Sequence, residues 1–199
     1  MGSAFITVKP ISGLELKFNL GADRRFQKRS NYLPKTTLEG ERNLGSGYIN
    51  QEDAQDYLME LTASYSKMFK EHNLKVLGGY SFQKFTTEGL SAGNTEFLID
   101  GFSYHNLGAG GAAKPTVSSK ASKSSLGSYF ARLNYMYANR YLLEATLRTD
   151  GASNFDPNNR WGFFPSVALG WVMSEEKFME KTRSWLSNLK WRFFLWANR

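Results

Sequence analysis

Tyr129-Phe130-Ala131-Arg132-Leu133-Asn134-Tyr135-Met136-Tyr137, then Ala138-Asn139-Arg140, then Tyr141-Leu142-Leu143-Glu144-Ala145-Thr146-Leu147-Arg148: this stretch decides how the chain folds. Tyr129, Ala131, Leu133, Tyr135 and Tyr137 fall on one side of a period-two pattern, and Phe130, Arg132, Asn134 and Met136 fall on the other. Successive side chains of a strand point to opposite faces, so the pattern predicts two strands with one greasy face, joined by a tight turn. The same alternation recurs outward in both directions. It holds in Leu14 to Leu20, in Tyr57 to Ser66, in Leu74 to Gln83 and in Trp161 to Trp171.

The links between these segments carry a second signal. Pro10 to Gly13, Phe69 to Asn73 and Ala138 to Arg140 are tight. Arg29 to Ala54, Thr86 to Ser125 and Asp150 to Asn159 are long and polar. Short and long links alternate, and consecutive antiparallel strands place alternate links at opposite ends. All short turns therefore gather at one end, the asymmetry of outer-membrane barrels. A soluble sandwich has no general reason to sort its loops in this way. Tyr135, Tyr137 and Tyr141 beside one short turn, Tyr65 and Phe69 beside another, and Trp171 near Ser174 suit a membrane–water interface. Ser174-Glu175-Glu176 opens with a capping residue and early acids, which predicts one short helix near 174–181.

Composition narrows the function. The 199 residues carry a formal charge of +7, 15% aromatics, no Cys and 2 His. Without Cys there is no disulfide framework and no Cys zinc site, and two histidines support neither a multi-His metal centre nor much His acid–base chemistry. The positive charge is scattered, and its densest run, Lys114, Lys120 and Lys123, has no interleaved aromatics, so nucleic acid is not the expected partner. The N-terminus lacks the pattern of a signal peptide, and no stretch reaches the ~18 apolar residues of a membrane helix.

Leu74-Lys75-Val76-Leu77-Gly78-Gly79-Tyr80-Ser81-Phe82-Gln83-Lys84 resembles a barrel segment of SusC/RagA-type TonB-linked outer-membrane proteins. So does the span from Ser128 to Phe178, with Thr146-Leu147-Arg148-Thr149-Asp150-Gly151, Asn158-Asn159-Arg160-Trp161-Gly162-Phe163-Phe164-Pro165-Ser166 and Leu169-Gly170-Trp171. The resemblance implies an all-β antiparallel barrel segment of about seven strands, from a plugged barrel of about 22. It implies import of oligosaccharides or peptides across the outer membrane, a SusD-like surface lipoprotein as lid, energy from TonB, and outer-membrane lipid around the wall. On this reading residues 1–199 are a partial barrel without plug or signal peptide, and 86–125 is a long external loop. The ending from Trp191 onward departs from the family. Deleting one T from one set of codons for its last residues gives Phe-Ser-Tyr-Gly-Leu-Thr, a family-like ending, so a one-base frameshift is expected there.

The chemical motifs are weak. Gly89-Leu90-Ser91-Ala92-Gly93 fits a nucleophile elbow, with Asp100 and His105 in hydrolase order, but all three fall in one Gly-rich link with no helix to form the elbow. Gly108-Ala109-Gly110-Gly111 lacks the following Lys-Ser/Thr helix of a phosphate loop. Asp150, Asn154, Asp156 and Asn158 lack the order and distal Glu of an EF-hand. No catalytic residue, metal site or cofactor is expected. The candidate functional residues are a lumen-facing set, Glu60, Lys75, Gln83, Arg132, Glu144 and Arg148, and the loop aromatics Phe97, Phe102 and Tyr104, which could stack on sugar rings. The alternative reading is a soluble β-sandwich that binds glycans.

Overall fold

The computed structural model describes residues 1–182 and 184–197. Eight strands form one sheet: β1 (Gly2–Ile11), β2 (Leu14–Leu33), β3 (Ser46–Phe69), β4 (His72–Thr95), β5 (Thr116–Tyr137), β6 (Tyr141–Ala152), β7 (Trp161–Val172) and β8 (Lys190–Trp196). Their order in the sheet is their order in the chain, so each strand pairs with its sequence neighbours and β1 and β8 are the edges. The sheet is an open antiparallel segment of a barrel wall.

The links follow the expected alternation through β7. The turns at 12–13, 70–71 and 138–140 are short, and those at 34–45, 96–115 and 153–160 are longer. Gly13 sits at φ +83°, and a Cβ there would strike the carbonyl of Ser66. Ala138 and Asn139 also take positive φ, 51° and 56°, which Asn tolerates better than most residues. The link at 173–189 breaks the pattern: it lies at the short-turn end yet is long.

The structure adds detail to three expectations. The strands run well beyond their alternating segments, so the stretch 86–125 divides into the end of β4, a link at 96–115 and the start of β5. Cross-strand hydrogen bonding holds those polar ends as strands even though neither face carries a hydrophobic period. Eight strands stand where about seven were expected. The helix expected near 174–181 is two 3₁₀ segments, Met173–Glu175 and Lys177–Thr182. One short α-helix, α1 (Leu38–Arg42), lies in the link after β2 and is capped by the Thr37 side chain.

The chain divides into two units. One comprises Met1, 22–56 and 85–123, and the other 2–21, 57–84 and 124–199. In the second unit the register separates the faces. Tyr137, Tyr141, Trp171 and Trp191 stand in one cross-strand row, Tyr135, Leu143, Leu169 and Phe193 in the next, and Leu133, Ala145, Val167 and Leu195 beyond. The opposite face carries Asn134, Glu144 and Ala168, then Arg132, Thr146 and Ser166, then Phe130, Arg148 and Phe164. On β8 this face reads Lys190, Arg192, Phe194, Trp196, so the polar alternation fails after Arg192. The frameshift expectation extends over Asn198 and Arg199, outside the described residues.

In the first unit the links at 34–45 and 96–115 are joined. The amide of Phe97 donates to the Leu44 carbonyl at 2.9 Å, and that of Glu96 to Asn43 at 3.0 Å. The Phe97 ring packs edge-on to Tyr32, with centroids 5.3 Å apart. Gly47 leaves room for it: a Cβ there would lie 2.8 Å from Leu107 Cδ2 and 3.2 Å from Phe97 Cζ. Among the described residues, Phe97 is the one large hydrophobic side chain that is fully buried, at 2% exposure.

Candidate transport surface

The greasy face of the second unit is bare. Tyr129, Leu147, Trp161, Leu169 and Phe193 are all about half exposed or more. In water such an area is strongly unfavourable and marks an interaction surface. In a bilayer it is solvated, and the ladder hydrogen bonds satisfy the backbone polar groups that lipid cannot.

Two aromatic belts bound this face. At the turn end stand Tyr137, Tyr141, Trp171 and Trp191. His72 joins them, stacked on Phe69 at 4.8 Å and 2.7 Å from the Tyr135 hydroxyl. Toward the other end Tyr129 packs on Tyr80 at 4.8 Å and on Trp161 at 6.1 Å. The Trp161 ring covers Gly151, its cross-strand partner, a way of shielding a glycine in a sheet. From Tyr129 to Tyr137 is about eight steps of ~3.4 Å, or ~27 Å along the strand. A tilt of roughly 35–45° reduces that to about 20 Å, close to the ~25 Å apolar band of an outer-membrane barrel.

The opposite face is polar and grooved. A cavity of about 190 Å³ is lined by Lys75, Asn134, Glu144, Lys190 and Arg192 among others. A second, of about 690 Å³, shares Lys75 and Asn134 and adds Arg132. The Arg132 Nε lies 3.8 Å from the Glu144 carboxylate. Arg148 pairs with Asp150 at 2.8 Å and donates to Ser128 Oγ at 3.2 Å. The structure thus gathers Lys75, Arg132, Glu144 and Arg148 on one polar face. Glu60 alternates with the exposed Tyr57, Met59 and Leu61 of β3, and Gln83 has the parity of Lys75 on β4. Lys190 and Arg192 belong to the same face but were missed, because β8 has no clean alternation to reveal its parity.

The loop aromatics separate. Phe97 is buried, with its ring against Tyr32 of β2 and its Cζ close to Gly47 of β3. Phe102 is 49% exposed, and Tyr104 is half-buried with its ring 4.3 Å from His105. The hydrolase residues are not brought together: Ser91 Oγ donates to Asn50 at 2.8 Å, while Asp100 accepts from the Tyr32 hydroxyl at 2.7 Å. Burial, followed by that bond to Asp100, pushes the Tyr32 hydroxyl up to about 12. Asp156 caps the amide of Asn158 at 2.9 Å.

A carboxylate that the sequence did not advertise organises the turn end. Glu176 is buried at 9% exposure. It accepts from Tyr141 Oη at 2.7 Å, from Trp171 Nε1 at 3.0 Å and from an Arg140 guanidinium nitrogen at 3.0 Å. These three bonds, the Tyr141 hydroxyl foremost, hold its carboxyl below the usual range. The amide of Ser174 donates to Leu189 and closes the base of the same link.

A two-faced antiparallel sheet with belted grease on one side and a grooved polar surface on the other is the wall of a membrane β-barrel. The family model for the TonB dependent receptor-like β-barrel matches residues 12–192, and the chain belongs to that family. A TonB-dependent receptor of Formosa agariphila is 38% identical over 182 residues, covering 92% of this chain and 18% of that protein. SusC of Bacteroides thetaiotaomicron is 34% identical over 163 residues, covering 79% of this chain and 16% of its own length. The solved RagAB peptide transporter has the same fold, with a TM-score of 0.86, 23% identity, and coverage of 98% of this chain and 22% of that one. The chain therefore spans about 18% of the relatives it matches. It is part of a receptor barrel of the outer membrane.

Proposed function

We propose that the chain forms part of the wall of an importer that moves oligosaccharides or peptides across the outer membrane. Its polar face lines the path, TonB supplies energy through parts of the protein beyond this chain, and a SusD-like lipoprotein closes over the end opposite the short turns. Glu60, Lys75, Gln83, Arg132, Glu144 and Arg148 face the path on this reading, and Phe102 and Tyr104 are the loop aromatics open to cargo. The register that puts tyrosine, leucine and tryptophan rows on one face and charged rows on the other is the observation that carries it. Relatives named as TonB-dependent receptors support the transport role.

This chain contributes no Cys of its own to a labelling test. Single cysteines at Glu144 and Thr146 in the full-length receptor are expected to react with a water-soluble maleimide in intact outer membranes. Cysteines at Leu143 and Ala145 are expected to react with a lipid-partitioning label alone. Labelling that ignores residue parity would defeat the reading. Deleting the receptor is expected to abolish uptake of a fluorescent oligosaccharide or peptide cargo.

A further inference from the structure

Resting on the transport reading above, we propose that the polar face near the short turns selects cargo bearing anionic groups, the carboxylates or sulfates of an acidic oligosaccharide or peptide. The smaller cavity holds three cations, Lys75, Lys190 and Arg192, against the single carboxylate of Glu144. That carboxylate already has a cation 3.8 Å away, Arg132. In the larger cavity, Lys9 and Glu15 pair with each other at 3.2 Å. Among the described residues, the side chains of Lys75, Lys190 and Arg192 have no ion-pair or hydrogen-bond partner.

The backbone shapes the groove for them. Gly170 stands between Leu142 and Arg192 in one cross-strand row and carries no side chain. The Lys190 stem lies over it, with Cε 3.5 Å from where a Cβ would be. Removing that side chain leaves a slot in which an ammonium and a guanidinium face the same space as Lys75. Unpaired cations in a grooved wall of low polarisability concentrate field lines and raise the local concentration of anions. The planar fork of Arg192 fits a carboxylate or sulfate through two hydrogen bonds, and lysine adds point charge.

The test uses the full-length receptor in its own outer membrane with four fluorescent probes of matched length: an oligogalacturonide, a neutral malto-oligosaccharide, an Asp/Glu-rich peptide and a neutral peptide. At least one anionic probe is expected to enter roughly tenfold faster than its neutral counterpart at low salt. Which anionic probe does so distinguishes the sugar source from the peptide source. The preference is expected to shrink at about 0.5 M salt, where the screening length falls to a few ångströms. Lys75→Glu with Arg192→Glu is expected to remove the preference, and heat-modifiable gel migration of the folded receptor, a readout independent of cargo, reports that the barrel is intact. Lys75→Gln with Arg192→Gln should remove part of it. Equal uptake of charged and neutral probes, unaffected by charge reversal, would overturn the selection and leave the transport reading standing. Failure of every probe to enter would remove both.

Discussion

The wall and the loop cluster place their large hydrophobic side chains in opposite ways. On β5 to β8, Tyr129, Trp161, Leu169 and Trp191 stand about half exposed in ordered rows. In the loop cluster, Phe97 is covered to 2% by Tyr32, Gly47 and Leu107. The same residue types are spent outward where the solvent is lipid and inward where it is water. Burial is therefore no guide to importance in this chain. The exposed rows hold the wall in its membrane, and the single buried ring holds two links together.

The largest expected effect tests the water-facing half of this contrast. Phe97→Ala removes the one large hydrophobic side chain buried in its unit, and such truncations cost about 3–5 kcal/mol. The loss should fall on the loop cluster alone. Hydrogen exchange at the amides of Glu96, Phe97 and Gly111, which bond to Asn43, Leu44 and Glu96, should accelerate by several hundredfold or more, while the β6 amides stay protected. Unchanged exchange at those three amides would mean that the ring is not what joins the links. The lipid-facing half is tested by an arginine at mid-band. Leu143→Arg should destabilise the barrel by about 2–4 kcal/mol in urea unfolding from lipid, whereas Thr146→Arg on the opposite face should be nearly neutral. Equal costs at the two positions would erase the distinction between the faces.

This contrast also explains what the sequence disclosed. The wall was legible because its signal is local: Tyr129 to Arg148 carries its face assignment in every second residue, and one short turn joins its two strands. Arg132, Glu144 and Arg148 share one face of the register for the same reason. The loop cluster was opaque because its contacts are not local. Phe97 meets Tyr32 and Gly47, far away in sequence, and nothing near Phe97 marks it as buried rather than open to a sugar. The polar ends of β2 to β5 were read as loops because they are held by ladder bonds and by pairs such as Arg24 with Asp53 and Lys120 with Glu52, which leave no hydrophobic period. Glu176 looked like an ordinary helix-start acid until the link folded back onto Arg140, Tyr141 and Trp171.

A smaller effect separates packing from polar contact within the loop cluster. Tyr32→Phe keeps the ring against Phe97 and loses the bond to Asp100, a change worth about 1 kcal/mol. The hydroxyl ionises near 12 in the folded chain against an ordinary value of 10. The unfolded chain gives up its proton first, so the contribution is complete below pH 10 and is lost as pH rises toward 12. Exchange at Phe97 in the parent should therefore quicken across that interval. In Tyr32→Phe it should be faster at neutral pH and lack that transition. A transition that persisted in the variant would assign it to another group.

The smallest effect concerns the link at 173–189, where the wall meets the short-turn end and where neither lipid burial nor a water-filled core explains the order. There the ordering agent is a carboxylate. Its pKa is lowered, so the folded state binds its proton less readily than the unfolded chain does. The stabilisation it gives is present above the ordinary value of 4.5 and is lost as pH falls through the lower folded value. Protection of the amides of Val172, bonded to Arg140, and Ser174, bonded to Leu189, should decline over that acid interval. Glu176→Gln retains an oxygen for Tyr141 and Trp171 but gives up the charge facing Arg140, so those amides should exchange somewhat faster at neutral pH and lose their acid dependence. Glu176→Ala, which strands all three donors, should loosen the link further. If both variants matched the parent at every pH, the link would be held by its backbone closure alone, and the polar clamp would be a consequence of its position rather than the cause.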